Sequence, residues 1–151
     1  MKKVILLFAL FVSISVLGQK LSNSKKSIIS SIEKHESELI KISDSIWALA
    51  ETAFNESESS RILADYAEKN GLTVTRGVAD IPTAFTATYG SGKPVISILG
   101  EFDALPGLSQ KASPTKEPLN EDAPGHGCGH NMFGTSSLGA CLLYTSPSPR
   151  D

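Results

Sequence analysis

The sequence predicts a mixed α/β fold in which helices cover a sheet. Apolar residues recur at three- and four-residue steps across residues 24–53, which is typical of one face of a long amphipathic helix. Alternating apolar and polar residues at 72–76 and 84–89 predict two short strands that form a hairpin. A nearly continuous apolar run at 95–100 predicts an interior strand covered on both faces. Helices, a hairpin and a buried strand in one chain together indicate this fold class.

The remaining elements follow from local signals. A second helix is predicted at 57–70, and Gly71 is well placed to end it. Trp47 is expected in the core, beside the apolar stripe of the first helix. A long loop rich in proline, glycine and charge is expected at 101–127. Small residues at 129–140 then predict a helix that packs closely on the sheet.

Composition and the first residues bear on the class of protein and its location. The chain of 151 residues is 40% apolar and 20% charged with a formal net charge of −2, so neither disorder nor nucleic-acid binding is indicated. Met1-Lys2-Lys3 followed by an apolar run at 4–17 is typical of a signal peptide, with cleavage expected after Gly18. We therefore expect an exported protein, periplasmic or secreted, with no stable membrane span after cleavage. An uncleaved membrane anchor is the alternative.

The C-terminal residues differ in character from the rest. One reverse translation of residues 141–151 resembles the transposon-end adapter of sequencing libraries, and we predict that this segment is translated adapter. A natural Ser/Pro-rich tail is the alternative. Residues 19–140 then contain a single cysteine, Cys128, which can form no internal disulfide and is either an inert buried thiol or a functional one.

Two segments contain residues suited to metal chemistry. Residues 125–131 read Gly-His-Gly-Cys-Gly-His-Asn, and thiolate and imidazole are ligands that zinc and its neighbours prefer. In an extended backbone Cys128 and His130 would point the same way and could reach one ion. Glu101 and Asp103 follow the predicted interior strand, where ligands gather in α/β sheets. Their alternative role is to cap loop amides.

Taken together, residues 98–110 and 125–131 resemble the p-aminobenzoyl-glutamate hydrolase group. This group belongs to the metallopeptidase family of zinc carboxypeptidases, aminoacylases and indoleacetyl-amino acid hydrolases. Residues 77–85 and 89–95 are similar as well, so that the resemblance covers most of residues 28–140. It implies a three-layer α/β/α zinc-exopeptidase-like catalytic domain, of which residues 19–140 would be the N-terminal part.

The resemblance also implies roles for individual residues. Cys128 and His130 match the metal-ligand pair of the group, and His126 becomes a candidate for substrate binding. Asp103 matches an acidic residue beside the metal, where it would contact a metal-ligating side chain rather than bind the ion itself. Glu101 lies where more distant carboxypeptidases have a ligand histidine.

At one further position the chain differs from the family: Asn131 replaces the aspartate that commonly follows the motif in related amidohydrolases.

The implied reaction is metal-dependent hydrolysis of the amide bond of N-acyl or p-aminobenzoyl amino acids, with a divalent metal, zinc or manganese, and two ions in the full-length protein. The general-base glutamate and the other ligands would come from sequence absent here, so the 151-residue chain by itself is expected to be inactive. The resemblance implies a small-molecule substrate and a homodimer or larger oligomer for the full-length protein. The alternative is a small exported metal-binding or interaction protein without catalysis.

Overall fold

The structure is a computed structural model that describes residues 21–145. The predicted signal peptide and residues 146–151 lie outside the described residues. The helices are α1 Asn23–Glu33, α2 Glu36–Leu49, α3 Ser57–Lys69 and α4 His130–Thr145, and the strands are β1 Thr73–Arg76 and β2 Phe85–Thr88. None of the helices within 21–145 is long and apolar enough to cross a membrane.

The single long helix predicted at 24–53 is wrong, because α1 and α2 are separate helices that meet at a turn. The His35 backbone N–H donates to the Ile32 carbonyl at 2.8 Å. The His35 ring nitrogen Nδ1 lies 2.9 Å from the Tyr66 hydroxyl on α3. The apolar residues of α1 and α2 keep the same helical phase across the turn, so the period of the pattern does not reveal the break. The side chain that contacts the turn, Tyr66, belongs to another helix. Helix α2 ends at Leu49, since Ala50 adopts a left-handed conformation with φ of 47°.

The second predicted helix and the hairpin are confirmed. The Glu51 carboxylate accepts hydrogen bonds at the N-terminus of α3, from the Ser59 backbone N–H at 2.8 Å and from the Ser59 hydroxyl at 2.7 Å. At the other end Gly71 has a φ of 86°, and the Leu72 N–H returns to the Ala67 carbonyl. The strands β1 and β2 pair antiparallel with Val74 opposite Ala87, and a short 3₁₀ helix, Val78–Asp80, lies between them.

The interior strand predicted at 95–100 is wrong for the described structure. These residues form no strand, and Val95 is 78% and Leu99 is 71% exposed. An apolar run becomes a buried strand only where neighbouring strands cover it. The sheet within residues 21–145 has only the two strands β1 and β2, and residues 95–100 are not among them. Instead the Ser137 hydroxyl of α4 donates to the Leu99 carbonyl at 2.7 Å.

The core lies between α2, α3 and α4, and the start of β1 closes one side of it. Trp47, predicted in the core, is half-buried and is neither in the core cluster nor among the side chains packed against it. Close packing of the last helix is confirmed, although its neighbours are α1, α2, α3 and residues 100–102 rather than a sheet. Helices with a two-stranded sheet agree with the predicted mixed α/β class. The buried residues of this core cluster are Ile42, Ile46, Leu63, Tyr66, Ala67, Leu72, Leu138 and Leu142.

Candidate metal centre

The N-terminus of α4 holds a cluster of three side chains that could bind a metal ion. His130 is the first residue of the helix, and Glu101 and Asp103 lie on the segment that passes beside it. One candidate ligand atom from each residue lies within 4.8 Å of the other two. Asp103 and His130 are half-buried, whereas Glu101 is exposed. The structure thus brings Asp103 and His130 together, as the sequence predicted for residues of one site.

Both ring nitrogens of His130 face a carboxylate. Nδ1 lies 2.8 Å from Asp103 Oδ1, and Nε2 lies 3.1 Å from Glu101 Oε2. When Asp103 accepts a hydrogen bond from Nδ1–H, the neutral ring has its lone pair on Nε2. A lone pair facing a carboxylate is repulsive, and a cation held between Nε2 and Glu101 would relieve that repulsion. The arrangement is therefore suited to holding a cation.

The local fold brings the three side chains together through backbone contacts. The Ala104 N–H donates to the Glu51 carbonyl at 2.7 Å, which fixes the segment carrying Asp103 near the start of α3. The backbones of Leu105 and Gly125 exchange two hydrogen bonds of 3.0 Å, so the long loop returns beside the segment it left. Gly134 lets α4 approach closely, since a Cβ there would lie 3.0 Å from the Glu101 carbonyl oxygen.

Cys128, predicted as a ligand with His130, is exposed and does not belong to this cluster. The backbone from Cys128 to His130 is not extended, so these two side chains do not point the same way by alternation. Cys128 lies in a turn, Gly129 has a φ of 79°, and His130 already begins the helix. Ligation by Cys128 stays a prediction.

His126 is buried rather than open to solvent, with only 3% of its surface exposed. Its Nε2–H donates to the Ile46 carbonyl of α2 at 3.0 Å, and its ring lies 6.3 Å from that of Trp47. Burial lowers the pKa of His126, and the hydrogen bond to the Ile46 backbone offsets this in part. The imidazole faces α2 in this structure, and the predicted contact of His126 with substrate stays a prediction.

Asn131 is buried as well, and it also faces α2. Its Nδ2–H₂ donates to the Ser43 hydroxyl at 3.0 Å. Sequence reasoning gave no role to Ser43 or to the carbonyl of Ile46, because both lie 80 or more positions away on an ordinary amphipathic helix. It did single out Glu101 at the end of the predicted strand, but position in the chain alone could not reveal the contact of Glu101 with His130.

Comparison with known proteins identifies the relatives of this region. Over 114 residues the chain is 48% identical to a subunit of the p-aminobenzoyl-glutamate hydrolase of Escherichia coli (strain K12), covering 74% of this chain and 23% of that protein. The resemblance to the p-aminobenzoyl-glutamate hydrolase group is confirmed. No family model matches the chain.

Two more distant relatives are peptidases. The chain is 27% identical over 124 residues to the Xaa-Arg dipeptidase of Homo sapiens, covering 74% of this chain and 25% of that protein. It is 28% identical over 129 residues to thermostable carboxypeptidase 2 of Saccharolobus solfataricus, covering 84% of this chain and 30% of that protein. The relatives of this chain are thus hydrolases and peptidases, and the chain spans less than a third of the length of each.

Proposed function

We propose that the protein carrying this sequence is a metal-dependent amidohydrolase that cleaves p-aminobenzoyl-glutamate or a related N-acyl amino acid. The observation that supports this best is His130 between two carboxylates, in a chain 48% identical to a hydrolase of that substrate. The more distant likeness to a dipeptidase and a carboxypeptidase supports hydrolysis of an amide bond as the reaction.

The donor set fits a divalent ion. Imidazole nitrogen and carboxylate oxygen are ligands for zinc and manganese alike. Two such ligands at 2.0–2.2 Å from one tetrahedral ion lie about 3.3 Å apart. The observed separation of His130 Nε2 and Glu101 Oε2 is 3.1 Å, close to that value. We include Cys128 as a further ligand because its thiol is exposed on the adjacent turn.

In this proposal His130 and Glu101 bind the ion, and Asp103 orients His130. The hydrogen bond from Nδ1–H to Asp103 fixes the tautomer and makes Nε2 a better donor. A bound divalent ion would polarise the amide carbonyl and lower the pKa of a coordinated water. A general-base glutamate would accept the proton of that water and deliver it to the leaving amine. We expect this glutamate, a second ion and the remaining ligands to involve sequence beyond residues 19–140.

Several wider properties belong to the same proposal. These are a three-layer α/β/α catalytic domain, a homodimer or larger oligomer, and export directed by residues 1–18. We also propose that residues 141–151 derive from an adapter. Residues 141–145 continue α4, and Leu142 packs in the core. A short apolar segment can extend a helix whatever its origin, so this packing is compatible with the adapter interpretation.

The test is expression of the intact gene and an assay of p-aminobenzoate release from p-aminobenzoyl-glutamate, before and after chelation and with zinc or manganese restored. We expect activity that depends on the metal, is lost in His130→Ala, and requires about 10- to 100-fold more metal in Asp103→Asn. His35→Gln is the matched control, because His35 lies at the turn between α1 and α2 and contacts Tyr66. Metal binding without turnover of any N-acyl amino acid would favour the alternative of a non-catalytic metal-binding protein.

A further inference from the structure

The loop that carries the candidate ligands is attached to α2 on both sides. Ahead of Cys128, His126 donates through Nε2–H to the Ile46 carbonyl at 3.0 Å. Behind His130, Asn131 donates through Nδ2–H₂ to the Ser43 hydroxyl at 3.0 Å. Ser43 and Ile46 are three residues apart and therefore lie on one face of α2. We call these two hydrogen bonds the α2 tethers.

We propose that His126 and Asn131 are positioning residues whose α2 tethers hold the loop so that His130 Nε2 is aimed at Glu101. This inference rests on the proposed metal site. Asn131 follows His130 directly within the first turn of α4. A displacement of Asn131 therefore moves the backbone of His130, whose ring must keep both of its carboxylate partners.

Both tethers bury polar side chains, which lowers the stability of the fold. Their presence therefore argues for a role in orienting the loop. His126 is 3% and Asn131 is 5% exposed. His126 Nδ1 and Asn131 Oδ1 are buried with no hydrogen-bond partner among the described residues. Burying such atoms lowers stability, and an apolar residue of similar size would avoid that cost. A directional hydrogen bond fixes a loop in one orientation, whereas apolar contact alone does not.

Ser43 gives the sharpest variants because it lies on α2 and outside the metal cluster. Ser43→Ala removes the hydroxyl that accepts from Asn131 and leaves the longer contact, of 3.4 Å, with the Ser43 carbonyl. Ser43→Thr retains both. Leu72→Ala is the control for lost stability, since Leu72 is buried in the core and is not part of the loop. The measurements on the protein from the intact gene are the Tm, the Kd for Co²⁺, and the ligand-field absorption spectrum of bound Co²⁺.

We expect Ser43→Ala and Asn131→Leu to raise the Kd for Co²⁺ by about 10- to 100-fold and to change the ligand-field spectrum. Ser43→Thr should restore both properties. Leu72→Ala should lower the Tm without changing the spectrum. The proposal is overturned if Ser43→Ala and Asn131→Leu lower the Tm as Leu72→Ala does and leave the Kd and the spectrum unchanged.

A second measurement separates this inference from the proposed function. In the metal-free protein, nitrogen NMR of the histidine rings reports the tautomer and hydrogen bonding of His130. If the α2 tethers position His130, Ser43→Ala and Asn131→Leu should shift the His130 ring signals. Ser43→Thr and Leu72→Ala should leave them unchanged. If the wild-type protein binds no metal, the proposed function fails, and this NMR comparison still decides whether the tethers position His130.

Discussion

At the scale of single residues, accessibility separates the two cysteines. Cys128 is exposed on the turn before His130, whereas Cys141 is half-buried in α4. Burial raises the pKa of the Cys141 thiol and lowers its thiolate fraction at neutral pH. The two thiols should therefore differ in reactivity, and a metal ligand should lose its reactivity when the ion binds.

We expect a thiol reagent at pH 7.5 to modify Cys128 at least tenfold faster than Cys141, as an order-of-magnitude consequence of exposure and thiolate fraction. Labelling kinetics of the metal-free chain test this, with Cys128→Ser and Cys141→Ser assigning the two phases. If Cys128 is a ligand, saturating zinc slows its labelling in the protein from the intact gene. Labelling of Cys128 that zinc leaves unchanged in that protein would remove Cys128 from the ligand set.

The lowered pKa of His126 predicts a pH dependence of stability. The native state holds this ring neutral, whereas the unfolded state takes up a proton near the ordinary pKa of 6.5. Because the native pKa is lowered, its contribution is fully present above pH 7 and is lost as the pH falls through 6.5 toward the native value. The free energy of unfolding should decrease there by up to about 1.4 kcal/mol per pH unit. Urea unfolding between pH 5.5 and 7.5 measures this slope.

The matched comparison for that slope is between a variant that removes the His126 ring and a core variant that removes no titratable group. His126→Leu should show a smaller decrease in unfolding free energy over the same pH range, since it removes the group whose pKa is lowered. Leu72→Ala removes no titratable group, so it should lower stability at every pH in this range and retain the slope of the wild type. An unchanged slope in His126→Leu would contradict burial as its origin.

At the scale of elements, one glycine permits the long loop to close on itself. Gly125 pairs with Leu105, and a Cβ at Gly125 would overlap the carbonyl group of Leu108 and lie 2.9 Å from the Ser109 Cα. These are backbone atoms, which cannot move aside as the end of a side chain could. The pairing that brings residues 101–103 beside residues 126–130 therefore depends on a position without a side chain.

Gly125→Ala should destabilise the chain by about 2 kcal/mol or more, because the overlap forces the two loop segments apart. Gly90→Ala is the control: a Cβ there meets nothing within 4 Å, so only its φ of 74° opposes the substitution. That variant should lose about 1 kcal/mol. Urea unfolding followed by the fluorescence of Trp47 compares them. A Gly125→Ala variant no less stable than Gly90→Ala would contradict the close approach.

At the scale of the whole molecule, residues 95–100 are the largest departure from the predicted fold. Their period and composition predict a buried strand, but Val95, Ile96 and Leu99 are exposed. Contiguous exposed apolar residues favour association, and an extended segment without strand partners can pair with another chain. Within residues 21–145 the molecule thus has a packed helical core beside an apolar segment that no strand covers.

The 151-residue chain should therefore self-associate at micromolar concentration, and Leu99→Lys should lower its mean mass in sedimentation experiments. Leu119→Lys is the matched control, since Leu119 is similarly exposed on the long loop. Equal behaviour of both variants would show that residues 95–100 do not drive association. A wild-type chain that stays monomeric at these concentrations would contradict the prediction altogether.

The sequence by itself determined several of the local elements and the group of hydrolases that the chain resembles. Helical period, strand alternation and glycine placement predicted α3, the hairpin and the start of α4, because these signals act within a few residues. The motifs around Asp103 and His130 predicted the relatives that comparison confirmed.

Only the tertiary structure decided how those parts meet. The turn at His35 depends on Tyr66, the contact of Glu101 with His130 depends on loop pairing at Gly125, and the burial of His126 and Asn131 depends on α2. The exposure of residues 95–100 likewise depends on which strands lie beside them. Each of these outcomes is set by contacts between residues distant in the chain, and a local pattern contains no information about which distant partner is present.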